Sequence, residues 1–232
     1  MLKVAWSNSY AHPLPGGHRF PMEKYSLLPE QLLYEGTLTK ENFFEPELLD
    51  EKWIINTHDS EYFRRLKNLE LTKSEIRATG FPLSAELVHR EIQIAGGSVQ
   101  AAVYALNHGI GMNIAGGTHH AFSNRGEGVC LLNDLAITAN YLIQNQFASR
   151  VLIVDLDVHQ GNGTAELFRD RSDVFTFSVH GAKNYPQRKE ISHLDIGLAD
   201  GTGDEEYLMK LEDTLPVLIR RFCPDFIIYQ CG

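Results

Sequence analysis

Residues 151–164, Val-Leu-Ile-Val-Asp-Leu-Asp-Val-His-Gln-Gly-Asn-Gly-Thr, constrain the fold of this chain more than any other stretch. Four consecutive apolar residues, three of them β-branched, read as a strand buried on both faces. Both faces are covered only where helices sandwich a largely parallel sheet. Two carboxylates and an imidazole follow at alternate positions, then Gly-Asn-Gly-Thr leads into a predicted helix. In open α/β sheets, ligands bind outside the carboxyl ends of the strands, so Asp157 and His159 fall where chemistry is expected. Alternation along an extended backbone projects Asp155, Asp157 and His159 to one side. A carboxylate and an imidazole converging there suit a divalent metal such as zinc. Two blander readings compete. An Asp-x-Asp is common at solvated strand ends, and Gly161-x-Gly163 before a helix is half of a dinucleotide fingerprint. The second is weakened by the missing third glycine and by acidic residues that would repel a pyrophosphate.

With 232 residues, 43% of them hydrophobic and 22% charged, the chain fits a globular protein with one substantial core, and a single domain over 1–232 is the expectation. A formal net charge of −9 argues against non-specific nucleic-acid binding and tolerates a cationic substrate. Cys130, Cys223 and Cys231 show no paired spacing and suit a reducing compartment. Neither a leader-like N-terminus nor an apolar run of membrane-spanning length is seen, so a cytoplasmic protein without membrane partners is expected.

Along the chain, residues 2–6 read as a short strand and His12 to Arg19 as a Pro- and Gly-rich surface loop. A helix is expected from Met22 to about Glu35, broken near Pro29, and Trp53-Ile54-Ile55-Asn56 reads as a strand. Thr57-His58-Asp59-Ser60 then opens a helix, with Asp59 or Ser60 as its cap. Residues 84–108 carry the longest helical stripe, weakened at Gly96-Gly97 and ended by Gly109. A strand is expected at 112–115, a helix at 133–146, a helix from 163 to about 171 and a strand at 174–179. A helix over 204–221, bent at Pro216, and a strand at 226–230 complete the reading. Strand and helix alternate from about residue 84, which predicts a three-layer α/β/α fold with a mainly parallel sheet.

A second constellation lies upstream. Gly116-Gly117-Thr118-His119-His120 places two adjacent imidazoles just past a strand end, where glycines let the backbone approach a ligand. Neighbouring residues of a regular strand point to opposite faces, so both rings face one pocket only if partners hold them. Asp155 and Asn162 are the candidate partners; the competing reading makes both histidines ordinary surface-loop residues.

Taken in order, Gly116-Gly-Thr-His-His120, Gly128-Val-Cys-Leu-Leu-Asn-Asp134, Asp155-Leu-Asp-Val-His-Gln-Gly-Asn162-Gly and Ser178-Val-His180 resemble the motifs of the zinc-dependent histone deacetylase family. That family also includes acetoin-utilisation proteins and acetylpolyamine amidohydrolases. His12-Pro13, Arg19 and Thr57-His58-Asp59-x-x-Tyr62 are similar to its N-terminal motifs, and Asn162 is most like the class IV, deacetylase-eleven-like branch and its bacterial relatives. The resemblance implies an arginase/deacetylase-like fold and one catalytic Zn2+ held by Asp157 and His159. It makes His119 and His120 a tandem catalytic pair, with Asp155 bonded to His119 and Asn162 to His120. Asp155 and the Ser178 hydroxyl, with nearby carbonyls, match the family's structural K+ site. Gly128, Val129 and Tyr185 match positions lining an acyl-lysine tunnel. Where the family often has an aromatic residue, this chain has Val129, which widens one wall.

Amide hydrolysis needs a polarised carbonyl, an activated water, and a group that takes one proton and returns another to the leaving amine. Histidine does both near neutral pH. A carboxylate partner raises an imidazole pKa more than an amide does, so Asn162 leaves His120 the more readily neutral of the pair and the expected general base. The expected substrate is an acylated lysine peptide or protein, with an acetylpolyamine or other small amide as the alternative. An arginase-like dinuclear manganese hydrolase and a catalytically degenerate acyl-lysine binding module are the other readings. Family members continue past the strand at 226–230 into a segment carrying a further aspartate ligand and an oxyanion tyrosine. The chain is therefore expected to be a shortened form, weak in metal binding and activity, unless His180 or Asp195 completes the site.

Overall fold

The computed structural model describes residues 1–232, which divide into two compact units, Met1–Tyr141 and Leu142–Gly232. Elements of the first unit are β1 (Lys3–Ala5), α1 (Lys24–Tyr34), β2 (Phe43–Phe44), α2 (Glu51–Ile55), α3 (Ser60–Lys67), α4 (Lys73–Thr79), α5 (Ala85–His108) and β3 (Gly111–Asn113), and α6 (Asp134–Gln144) carries the chain across the boundary after Tyr141. Its three-stranded sheet has the order β2-β1-β3, parallel throughout. The second unit contains β4 (Val151–Asp155), α7 (Asn162–Phe168), β5 (Val174–Gly181), β6 (Leu194–Leu198), α8 (Asp204–Phe222) and β7 (Phe226–Gln230). Its four strands pair in parallel in the order β6-β5-β4-β7. The α/β architecture with parallel sheets and flanking helices is thus the one the sequence predicts. No helix is long and apolar enough to cross a membrane.

Every residue of β4 is buried, as the unbroken apolar run requires of a central parallel strand. On one face, Leu152, Val154, Phe177 and Val179 pack with Leu218, Leu211, Leu215 and Phe222 of α8. That helix runs through Pro216 to Phe222.

The long helix α5 begins and ends where its caps dictate. Ser84 accepts the Leu87 amide, and Gly109 closes the helix in the left-handed region at φ 84°. Gly96 and Gly97, which weaken the helix as propensity, serve close packing. A Cβ at Gly96 would strike the Glu47 carbonyl, and one at Gly97 would strike the Tyr10 hydroxyl. Gly96→Ala should therefore destabilise the protein by about 1–3 kcal/mol in urea unfolding, although alanine is the better helix former. An unchanged or raised midpoint would show that the 47–49 segment yields freely.

Three expectations are corrected. Trp53 to Asn56 is helical in α2, not a strand, because Asp50 caps the turn by accepting the Lys52 amide, while Ile54 is buried and Trp53 meets Tyr141 edge-on. A run of four residues is too short for periodicity to decide, and the cap decides it. Helix α1 is not broken at Pro29. The proline removes the donor due to the Tyr25 carbonyl, and the Trp6 indole N–H fills the vacancy at 2.7 Å. The strand expected at 112–115 starts one residue earlier and ends at Asn113. Three elements were not expected from the sequence: β2, β6, and α4, whose Thr72/Glu75 capping box is a signal visible in the sequence.

Candidate active site

In the first unit, β3 runs into a loop whose glycines, Gly116 at φ 103° and Gly117 at φ 69°, take backbone conformations that side chains disfavour. A Cβ at Gly116 would also collide with the Asp134 carboxylate. That carboxylate is the loop's main brace. Oδ1 accepts the Thr118 amide at 2.8 Å and the Thr118 hydroxyl at 2.6 Å, and Oδ2 accepts the Ser98 hydroxyl at 2.5 Å. Asn133 adds a second tie, donating its side-chain amide to the Ala121 carbonyl at 3.1 Å while its Oδ1 caps α6 at the Ala136 amide.

His58 supplies the third. Its Nε2 accepts the Asn133 amide at 2.9 Å, so Nδ1 carries the proton and donates it to the Phe122 carbonyl at 2.9 Å. Burial pushes the His58 imidazole down to about 4. It is a neutral clamp across the two ends of the segment 122–133.

Between these ties His119 and His120 are both buried, with ring centroids 4.1 Å apart and planes at 48°. The irregular backbone thus turns adjacent side chains toward each other, as a regular strand could not. This overturns the surface-loop alternative. Gly128 and Val129 stand elsewhere in the loop, at φ 55° and 62°, with amides bonded to the Ala78 and Thr79 carbonyls at the end of α4. A β-branched residue in the left-handed region is a strained arrangement of the kind found at functional sites.

In the second unit, β4 ends at Asp155, whose Oδ1 accepts the Asp157 amide at 3.1 Å. Asp157 Oδ1 in turn accepts the His159 amide at 2.7 Å and lies 2.8 Å from His159 Nδ1. A carboxylate oxygen and an imidazole nitrogen are donors of the kind zinc takes, at about 2.0–2.2 Å. Here they are hydrogen-bonded to each other, so holding one ion tetrahedrally would require that contact to open to roughly 3.4 Å. No group of three His, Cys, Asp or Glu donors is present, so neither His180 nor Asp195 completes the pair. Instead His180 shares a hydrogen bond with Ser178 at 3.0 Å, and burial lowers its pKa. Asp195 accepts from Gln160 and from the Ser192 amide.

Tyr185 stands edge-on to His159 with ring centroids 6.0 Å apart, so the two residues assigned to tunnel and metal are neighbours. Asp155 and Ser178 are register partners on β4 and β5. Asn162 is buried at the first position of α7. Among residues given no role from sequence, Asn133, Asp134 and Gln160 carry the bracing. Only their place within the motifs signalled them, because a bond to a distant main chain leaves no local pattern.

A sequence profile of the histone deacetylase domain matches residues 18–232. Over 229 residues, 99% of this chain and 76% of the relative, the sequence is 43% identical to an uncharacterized protein of Picosynechococcus. Identity to histone deacetylase 2 of Arabidopsis thaliana is 28% over 244 residues. That match takes in 100% of this chain but 63% of the plant protein, so the chain spans less than two thirds of that relative's length. The crystal structure of an HDAC homolog from Aquifex aeolicus matches with a TM-score of 0.85, at 23% identity, over 100% of this chain and 68% of that one. That likeness establishes a shared fold, and the profile match, covering most of the chain, establishes kinship. The chain belongs to the histone deacetylase domain family.

Proposed function

We propose that the protein is a zinc-dependent amide hydrolase that removes acetyl or other acyl groups from lysine side chains or related amines. The observation that carries this reading is the buried, mutually facing pair His119 and His120 on a loop braced by Asp134, Asn133 and His58. Asp157 and His159 would hold the metal, which when bound polarises the acyl carbonyl and acidifies a water. His120 takes the proton of the attacking water and returns one to the leaving amine, and His119 supplies orientation or positive charge. Asp155 and Asn162 are assigned to set the charge states of the histidines, and Asp155 with Ser178 to hold a structural K+. Gly128, Val129 and Tyr185 are assigned to the acyl tunnel. Acetylpolyamines and other small amides remain the alternative substrates.

The test is a panel of acyl-lysine peptides and acetylpolyamines, assayed with zinc and with the metal chelated. Chelator-sensitive acetate release supports the reading. Binding of acetyl-lysine peptide without any release would instead make the protein a binding module. Asp157→Ala and His159→Ala should each lower zinc affinity sharply, since each removes a direct ligand, a loss exceeding the roughly 10- to 100-fold typical of outer partners. Unchanged zinc content in both variants would refute the ligand assignment.

A further inference from the structure

Gln160 follows the assigned ligand His159 and is 1% exposed, an unusual place for an amide side chain unless its hydrogen bonds are met. They are met by the loop between β5 and β6. Nε2 donates to the Glu190 carbonyl at 2.7 Å and to Asp195 Oδ1 at 2.9 Å, while Oε1 accepts the Glu190 amide at 2.9 Å. The side chain thus engages both main-chain groups of Glu190 as a neighbouring strand would. Only a primary amide offers both donors and the acceptor at that length. At its other end the loop is tied to the same segment, by the Gly181 amide on the Val158 carbonyl at 2.9 Å. Between these ties lies Tyr185, edge-on to His159. Residues 158–160 therefore hold the assigned ligand and both ends of the loop that carries Tyr185. The ion pair of Arg169 with Glu190 is a separate, outer tie.

We propose that Gln160 is a positioning residue for substrate binding: it locks the 182–193 loop so that Tyr185 stands against the acyl chain beside the metal ligand. This rests on the deacylase reading and adds to it the residue that sets the fit of the acyl group. Gln160→Met keeps the side chain's length and removes all three bonds. Gln160→Glu keeps the acceptor, loses both donors and places a second carboxylate against Asp195.

Loop anchoring has a readout independent of activity, because Lys183 and Arg188 in this loop are exposed trypsin sites. Nicking at these residues should accelerate on the order of 10-fold in both variants, as buried bonds to the loop are lost. In turnover of an acetyl-lysine peptide, KM should rise about 10-fold while kcat stays within about 3-fold and zinc content is unchanged. If Gln160 acts through Tyr185, the double variant Gln160→Met/Tyr185→Ala should have the KM of Tyr185→Ala alone. Parent-like nicking, or strictly additive KM effects, would overturn the proposal. Fast nicking in Gln160→Met with no acetate release by the parent protein would instead sink the deacylase reading and leave Gln160 as a loop anchor only.

Discussion

Replacing His120 by alanine is expected to lower turnover of an acetyl-lysine peptide by roughly 100-fold or more, the usual scale for losing a general base. Zinc content should be that of the parent, because the assigned ligands are Asp157 and His159. The imidazole is buried against His119, with 4.1 Å between ring centroids, so alanine also leaves a cavity. His120→Gln fills more of that space and separates the two effects. A chemical role predicts that both variants are slow, whereas a packing role predicts that glutamine restores activity. Full activity of His120→Ala across neutral pH would end the tandem-histidine mechanism for this protein.

Acid should unfold the protein partly through His58. The imidazole is held neutral in the folded state, at about 4 against an ordinary 6.5, and the cause is burial; the hydrogen bonding of the ring to the Phe122 and Ser123 main chain opposes the shift only partly. No charged side chain contributes to it. Below pH 6.5 the unfolded chain takes up a proton that the folded chain refuses. The contribution is therefore complete above pH 6.5 and lost progressively as pH falls from 6.5 toward 4. It amounts to ~3 kcal/mol over that window. Protonation would also set an N–H on Nε2 against the Asn133 amide, so the clamp on the histidine-bearing loop fails in the same range. Urea unfolding followed between pH 7.5 and 4 should show a shallower slope of stability against pH in His58→Asn than in the parent protein. His12 and His180, also lowered by burial, and carboxylates held low by their partners, such as Glu75 and Asp173, remain in both proteins and contribute to the residual slope. Equal slopes would show that His58 titrates normally.

Much of the fold was legible because it depends on signals that are local in the chain. The run at 151–154 could only be a strand covered on both sides, and Ser84 and Gly109 marked both ends of α5. The ordered motifs around His119, Asp157 and Ser178 pointed to the family that the profile match establishes. Where two local structures satisfy the same few residues, the sequence was silent. Trp53 to Asn56 suits a strand or a turn of helix equally, and the buried seat of Ile54 and the Asp50 cap select the helix. Pro29 reads as a break, yet a tryptophan twenty-three positions earlier takes over the carbonyl it orphans.

The site divides along the same line. Which side chains are proposed to carry the chemistry follows from residue type and order, because imidazoles and carboxylates are the groups that bind metal and move protons near neutral pH. How they are held does not follow. The facing of His119 and His120 depends on Asp134, Asn133 and His58, and the seat of Tyr185 on Gln160 and Asp195. Those braces reach main-chain groups up to 75 positions away, as from His58 to Asn133. The sequence by itself determined the family and the parallel α/β class, and it named the side chains to which the chemistry is proposed to belong. Tertiary structure alone decided which buried polar groups would meet, since a hydrogen bond between distant segments exists only once the chain has closed the loop between them.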